Sequence, residues 1–310
     1  MSRLGRDLDF TTGFIKRIGG QQLYDGRNGT KGVLGAPSDF AEKATDGDSE
    51  EKTAHFRSTS ALREYLDNFD WDNKSYQYGS LVESQATQIK AAGEEFRVTF
   101  EQYMNGRQER IQKILAGEGR KANGLWQTEV GYTSINGLMK LTNAYTRIGL
   151  AIPYAEEAFN SALSMVTHEG ADCFGKAADA VVDVYNPWCA INNLINNVNN
   201  FGDETVAKEM RETLKNRAPE LIRATTKKFK RFKKADGSFG YKAVGGQATS
   251  QSMPVAVKGV EEGDINGATI AVTAILGNMC AALGVNKPQL YFNSDFEKFM
   301  SIIEARENGK

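Results

Sequence analysis

The sequence predicts an all-α protein made of repeated αα-hairpins. From Ser58 onward, apolar residues recur at helical spacing along most of the chain. The order of helix, Gly-containing turn and second helix also returns in three stretches. Helix pairs that each bury one face stack into a solenoid or close into a ring, so we expect one of these arrangements.

Residues 1–57 predict an irregular N-terminal arm. They contain few periodic apolar residues and many Gly, Asp, Lys and Ser residues, as in YDGRNGTKGVLGAPSDFAEKATDGDSEEK. Such a segment buries little apolar surface to offset the entropy lost on ordering. We therefore divide the chain into this arm and a helical domain over residues 58–310.

The first helix is predicted in STSALREYLDNF, where Ser and Thr can cap its start. One face of that helix carries Leu62, Tyr65, Leu66 and Phe69. An aromatic connector, DWDNKSYQYGS, follows it. A longer helical region is predicted from about Leu81 to Ala116, with a break at Gly93.

Three hairpins follow along the chain. In GYTSINGLMKLTNAYTRIGLAIPYAEEAFNSALSMV, Gly149 predicts the end of one helix and Pro153 the start of the next. AINNLINNVNNFGDETVAKEMRETLKN places a Phe-Gly-Asp turn between two helices. TAILGNMCAALGVNKPQLYFNSDFEKFMSIIEA places Leu-Gly and a Pro-containing turn between two more.

Four stretches interrupt the helical pattern and are rich in aromatic and polar residues. We expect loops at residues 69–80, 122–132, 183–193 and 236–268. In a ring of hairpins, loops at one end of the inner helices face a common cavity. Long loops inside compact domains are uncommon and are usually functional or disordered.

Composition excludes several classes of function. The net charge of −1 favours neither nucleic acid nor an anionic membrane, and the sequence shows no signal peptide or membrane-length apolar run. Three widely spaced cysteines fit free thiols and a cytoplasmic location. Two distant histidines and the absence of HExxH, CxxC, GxSxG, P-loop and dinucleotide motifs predict no metal, cofactor or Ser-His-Asp triad.

The stretch DVYNPWCAINN is a candidate sugar site. Tyr185 and Trp188 can form a stacking platform, while Asp183 and Asn186 can bind hydroxyl groups. The alternative is structural, because Asn186 followed by Pro187 can simply begin a helix. Trp126 and Tyr132, in the second predicted loop, are further candidates for contact with a ligand.

The stretch DGSFGY also admits two interpretations. Asp236 and Gly237 can set a β-turn that sends Phe239 and Tyr241 toward the core, or the stretch can begin a long cleft loop. The second interpretation adds the ligand-binding candidates Gln251, Asp264 and Asn266, although Asp264 or Asn266 can also cap the next helix.

The basic run KKFKRFKK, residues 227–234, precedes this stretch. Cations suit the negative C-terminal end of a helix dipole, so the run can be the solvated last turns of a helix. Alternatively, it forms a basic rim that faces an acidic ligand.

The hairpins together with DVYNPWCAINNLI and DGSFGY resemble the α/α-toroid domain of polysaccharide lyases. The resemblance covers residues 58–306 in general organisation and about twenty positions in its motifs. It implies an α/α toroid or incomplete toroid, with Asn186 neutralising a uronate carboxylate, Trp188 stacking on sugar and residues 236–239 in the cleft. A histidine typically follows this loop in the family, whereas Gly240 and Tyr241 stand here.

The resemblance implies an enzyme that cleaves uronic-acid-containing polysaccharides or oligosaccharides by β-elimination. This reaction requires a base and an acid, and Tyr241, Tyr185 or Tyr132 can take these roles without a histidine. Two alternatives stay open. One is a cytoplasmic (α/α)-barrel glycoside hydrolase that uses Asp183, Asp236 or Asp264. The other is a non-catalytic sugar-binding or scaffold protein, whose incomplete ring leaves an open cleft or forms a homo-oligomer.

Overall fold

The computed structural model describes residues 13, 15–21, 33, 51–244, 263, 267, 269–289 and 292–308. The chain divides into two compact units, which are Glu50–Gln247 with Val257–Lys287, and Met1–Ser49 with Ala248–Ala256 and Pro288–Lys310. The described residues are mostly helical and contain no β-strand, which confirms the all-α class. The arm boundary at residue 57 stays a prediction. Within the described ranges, no helix is both long and apolar enough to cross a membrane.

The larger unit begins with a short 3-10 helix, Glu51–Phe56. Its α-helices, in chain order, are α1 (Thr59–Asp67), α2 (Trp71–Ala91), α3 (Glu94–Gly117), α4 (Tyr132–Ile148), α5 (Ala155–Thr167), α6 (Val181–Phe201), α7 (Glu204–Phe229) and α8 (Ile275–Leu283). A 3-10 turn, Lys230–Phe232, follows α7, and a π-helical segment, Thr269–Ala274, leads into α8. The smaller unit contains α9 (Asn293–Asn308).

Several helix ends follow the signals in the sequence. The hydroxyl of Ser58 accepts a hydrogen bond from the Ala61 N–H and caps α1. Gly93 has a φ of +108° between α2 and α3, as predicted for the break there. Gly149, with a φ of +89°, ends α4 in the left-handed conformation that glycine adopts without strain. These residues confirm the predicted start of α1, the break at Gly93 and the end of α4 at Gly149.

Two of the four predicted loops are wrong. Helix α2 already begins at Trp71, so most of residues 69–80 are helical. Helix α6 begins at Val181 and includes Pro187 in its interior, so residues 183–193 are helical as well. A proline inside a helix removes one backbone hydrogen bond and usually marks a boundary. Tertiary packing of the buried flanking residues overrides that local preference here, since Asn186, Pro187 and Trp188 are all buried.

Four helices, α2, α4, α6 and α8, form a layer in which they lie side by side in chain order. Helices α5 and α7 pack against each other and against α6, while α3 packs against α1 and α2. Contacts between α4 and α6 advance together along both helices, from Asn136–Asn186 to Asn143–Asn193, so the two helices are parallel. The largest fully buried side chains include Trp71, Phe100, Tyr132, Tyr145 and Trp188.

Glycine allows the close approach of α2 and α4. A Cβ atom added at Gly137 would lie 2.6 Å from Ser75 Oγ, and one at Gly79 would lie 3.1 Å from the Cβ of Lys140. Side chains larger than hydrogen at Gly137 would therefore push the helices apart. This contact sets the distance between the two helices whose polar residues form the surface described next.

Candidate functional site

A polar surface crosses the parallel helices α2, α4 and α6 on the solvent-facing side of the layer. We call it the inner-helix face. Its residues share partial exposure and helical spacing, and they are Tyr76, Glu83, Lys140, Asn143, Tyr185 and Asn193. Because each helix contributes side chains from successive turns, the three rows lie next to one another.

Glu83 joins α2 to α4 on this face, and Asn143 extends the hydrogen-bonded row to α6. The glutamate carboxylate accepts hydrogen bonds from Lys140 Nζ at 2.7 Å and from Asn143 Nδ2 at 2.9 Å, and it lies 3.4 Å from the Arg147 guanidinium. The Asn143 side-chain oxygen in turn accepts a hydrogen bond from Asn193 Nδ2 at 2.7 Å. Lys140 on the face and Arg147 beside it are two cations next to one carboxylate, so this part of the surface keeps one positive charge (2 − 1 = 1).

Tyr185 lies at the α6 side of the face, within hydrogen-bonding reach of Cys189 and Asn278. Burial raises the pKa of the Tyr185 hydroxyl well above its usual value, and burial also raises the pKa of the Cys189 thiol. Both groups are therefore protonated at neutral pH. Tyr185 can donate a hydrogen bond or a proton, but it is poorly suited to act as a base.

Tyr76 gives the face an accessible aromatic ring. Its side chain is 42% exposed, and Lys140 Nζ lies 5.9 Å from the ring centroid. An exposed ring beside amide and cationic groups is an arrangement that binds the C–H face of a sugar and its hydroxyl groups. Tyr76 was not predicted as a site residue, because the sequence around it predicts a connecting loop.

Asparagine pairs join α4 to α6 beneath and beside the face. Asn186 Nδ2 donates to Asn136 Oδ1 at 2.7 Å, and Asn197 Nδ2 donates to the Thr146 hydroxyl at 3.0 Å. Asn186 is buried, so its amide is bonded to protein and lies beneath the face. Six of the nine residues 192–200 are asparagine, an unfavourable residue for a helix interior. That density was the signal that could have identified the face from sequence.

The two tryptophans predicted to contact a ligand are core residues. Trp188 is 0% exposed and its indole donates to the Thr225 hydroxyl on α7 at 2.8 Å. Trp126 is also buried, and its indole donates to the Met104 carbonyl on α3 at 2.9 Å. A stacking platform needs an accessible ring face, so this interpretation of both residues is corrected. Trp188 is buried because it points to the side of α6 that α7 covers.

Asp183 and Tyr132 lie at the N-terminal ends of α6 and α4. Asp183 is 0% exposed; its carboxylate accepts hydrogen bonds from Lys176 Nζ at 2.7 Å and from the Ala180 N–H at 3.2 Å. Burial raises the pKa of Asp183, and Lys176 offsets part of that rise. Burial, with Asp183 and Asp172 nearby, raises the pKa of Tyr132 to about 12. The Tyr132 N–H donates to Asp172 at 2.7 Å, so this region caps helices.

The DGSFGY stretch forms a tight turn that is attached to α6. Asp236 Oδ1 accepts hydrogen bonds from the N–H and hydroxyl of Ser238, and Gly237 has a φ of +90°. Phe239 is half-buried, 4.7 Å from the ring of Phe229. Tyr241 is buried, and its carbonyl accepts the N–H of Val181, the first residue of α6. The turn interpretation from the sequence therefore fits this stretch.

The predicted site residues do not meet in one place. Tyr185 is on the inner-helix face with Asn186 beneath it, whereas Asp183 is enclosed at a helix start and Asp236 is on an exposed turn. A pair of catalytic carboxylates must reach the same glycosidic bond, and the enclosed Asp183 cannot. Gln251, Asp264 and Asn266 lie outside the described residues. Among the described residues, no group of His, Cys, Asp and Glu is arranged to hold a metal ion.

Comparisons of the chain with models of known protein families, with curated proteins and with solved structures found no match. The fold and the inner-helix face therefore define an all-α protein with a polar, partly exposed helix surface.

Proposed function

We propose that the protein binds carbohydrate, specifically oligosaccharides that carry uronate groups, on the inner-helix face of an incomplete α/α toroid. The observation that carries this proposal is the continuous hydrogen-bonded row from Lys140 through Glu83 and Asn143 to Asn193, beside the exposed ring of Tyr76. Amides bind sugar hydroxyls, the ring covers an apolar sugar face, and the excess positive charge attracts a carboxylate. The serial order of α2, α4, α6 and α8 supports the toroid.

A second candidate is β-elimination by a lyase acting on the same ligand. The position of the Tyr185 hydroxyl on this face supports it, because this reaction needs a group that delivers a proton to the leaving oxygen as that oxygen develops charge. The product of such a reaction contains a new carbon–carbon double bond conjugated to the carboxylate, and it absorbs ultraviolet light. Binding and catalysis are therefore separable in one experiment.

The test is a calorimetric titration with oligogalacturonate, repeated while ultraviolet absorbance is recorded. We expect saturable binding that weakens about tenfold in Lys140→Met, since a charge-assisted contact is lost. Tyr76→Ala should weaken binding, whereas Tyr76→Phe keeps the ring and should bind almost normally. The matched control is Lys113→Met, which removes a lysine paired with Glu109 on α3.

Equal weakening by Lys113→Met, or equally tight binding of a neutral cello-oligosaccharide, would contradict the proposal. An increase in ultraviolet absorbance that disappears in Tyr185→Phe supports the lyase candidate. Binding without any absorbance change supports a sugar-binding protein.

A further inference from the structure

A basic pocket lies between the C-terminal ends of α5 and α7. It has a volume of about 140 Å³, and its polar walls are formed by Tyr132, His168, Glu169, Lys227, Lys228 and Arg231. A cavity needs only ~10–15 Å³ of such volume to hold one water, so this pocket accommodates a small polyatomic ion. It shares no residue with the inner-helix face, and its three cations belong to the basic run at residues 227–234.

The positive charges in this pocket exceed the negative ones. Lys227 Nζ is paired with Glu169 at 2.7 Å. Within the described part of the chain, Lys228 and Arg231 have no carboxylate at ion-pair distance. Three cations and one carboxylate leave two positive charges (3 − 1 = 2) facing the same small volume. Arg231 is near enough to Lys228 to disfavour its charged form, and an anion between the two would relieve this repulsion.

Lys228 is the unusual member of this group, because its side chain is only 7% exposed. Its Nζ donates to the Met165 carbonyl on α5 at 2.8 Å and lies 5.4 Å from the ring centroid of Tyr132. An ammonium group has three donors, and no further acceptor contacts this one among the described residues. A bond to the end of α5 accounts for one donor, and the Lys228 side chain lines the pocket.

The geometry points to a binding site for a doubly charged tetrahedral oxyanion, a phosphate or sulfate group, held by Lys228 and Arg231 with Lys227 at the rim. A planar guanidinium and an ammonium that converge on one small volume match several oxygen atoms of such a group. The Tyr132 hydroxyl and His168 complete the polar wall. This site goes beyond the proposed binding of uronate sugars, since the two surfaces are separate.

Burial, with Arg231 as the repelling neighbour, lowers the pKa of Lys228 to about 8, while Glu169 and Asp183 oppose the decrease. Tyr132 and His168 also face this group. A bound dianion favours the charged ammonium, so binding should take up protons above pH 8 and weaken as the pH rises further.

The test is a calorimetric titration of the full chain with inorganic phosphate and with inorganic sulfate, at constant ionic strength set by chloride. We expect saturable binding that Arg231→Gln weakens about tenfold or more. Lys228→Met should abolish it, although Arg231→Gln decides the matter if the buried substitution prevents folding. The matched control is Lys230→Gln, which removes an exposed cation outside the pocket and should change binding less than twofold.

A monosaccharide phosphate that binds more tightly than free phosphate identifies a sugar-borne group as the ligand, and the reverse order identifies a free ion; both support the site. Absence of binding to both ions overturns the proposal. Equal weakening by Lys230→Gln also overturns it, because the binding is then a property of the basic surface. None of these results depends on whether oligogalacturonate binds to the inner-helix face.

Discussion

Asp183 is a fully buried carboxyl group that depends on one partly exposed lysine. Since burial raises its pKa in the folded state, the folded protein holds this proton more tightly than the unfolded chain does. Stability therefore falls as pH rises through the range between the unfolded and folded pKa values. The ion pair with Lys176 limits that fall, because it stabilises the ionised carboxylate.

Removing Lys176 should expose this dependence on pH. Lys176→Met should lower the free energy of unfolding by ~1–3 kcal/mol at neutral pH, a value reduced for solvent screening because Lys176 is 35% exposed. The loss should shrink at acidic pH, where Asp183 is protonated. Urea unfolding at several pH values measures it. Lys242→Met, which removes a looser exposed pair with Asp179, is the control, and an equal loss there would refute the prediction.

Tyr185 lies on the inner-helix face and Asn186 beneath it, whereas Trp188, predicted to stack on sugar, is a core residue. Residues that are neighbours in sequence point to different sides of a helix. Tyr185 therefore lies on the inner-helix face, Asn186 contacts α4 and Trp188 lies in the core. When the stretch is assigned to a loop, this difference in direction between neighbouring side chains is not visible. Glu83, Lys140 and Asn193 could not be connected from sequence, since their contacts join three separate helices.

At the scale of elements, the contact between α2 and α4 depends on glycine. We expect Gly137→Ala to destabilise the protein by about 1–3 kcal/mol, because the added methyl group meets Ser75 on the facing helix. Gly106→Ala on α3 is the matched control, since nothing lies within 4 Å of a Cβ atom there. That change should stabilise by ~0.5–1 kcal/mol through helix propensity. Thermal unfolding of both variants measures the effects, and equal signs would contradict the prediction.

The hairpin signals in the sequence predicted these helix ends well, because each signal lies within a few residues of the helix end that it determines. Gly93, Gly149 and the Phe-Gly-Asp turn all separate helices as expected. The starts of α2 and α6 could not be predicted in the same way. Polar and aromatic residues there satisfy the rules for loops, and only burial against neighbouring helices makes them helical.

At the scale of the whole molecule, the larger unit is a series of helices in which each inner member supports the next. Helix α6 contacts α4, α5, α7 and α8, whereas the main helix contacts of α3 are with α1 and α2. Opening of a helix is rarer when more neighbours must separate. The serial order could be predicted from the repeated hairpins, but curvature and closure of the series depend on helix angles that periodicity does not specify.

We therefore expect amide hydrogens in the centre of α6 to exchange at least tenfold more slowly than those in the centre of α3. Both helices exceed five turns, so length does not explain a difference. Hydrogen exchange followed by mass spectrometry measures the two rates within one sample. Similar protection of both helices would show that the series unfolds as one unit.

The asparagine pairs between α4 and α6 also specify vertical alignment. Asn136 and Asn143 are seven residues apart, as are Asn186 and Asn193, so both pairs form at a single offset of the two helices. Sliding one helix by a turn, about 5.4 Å, would separate both pairs together and leave buried amides unsatisfied. Apolar contacts alone tolerate such slippage. The asparagines therefore hold the polar rows of adjacent helices at the same height.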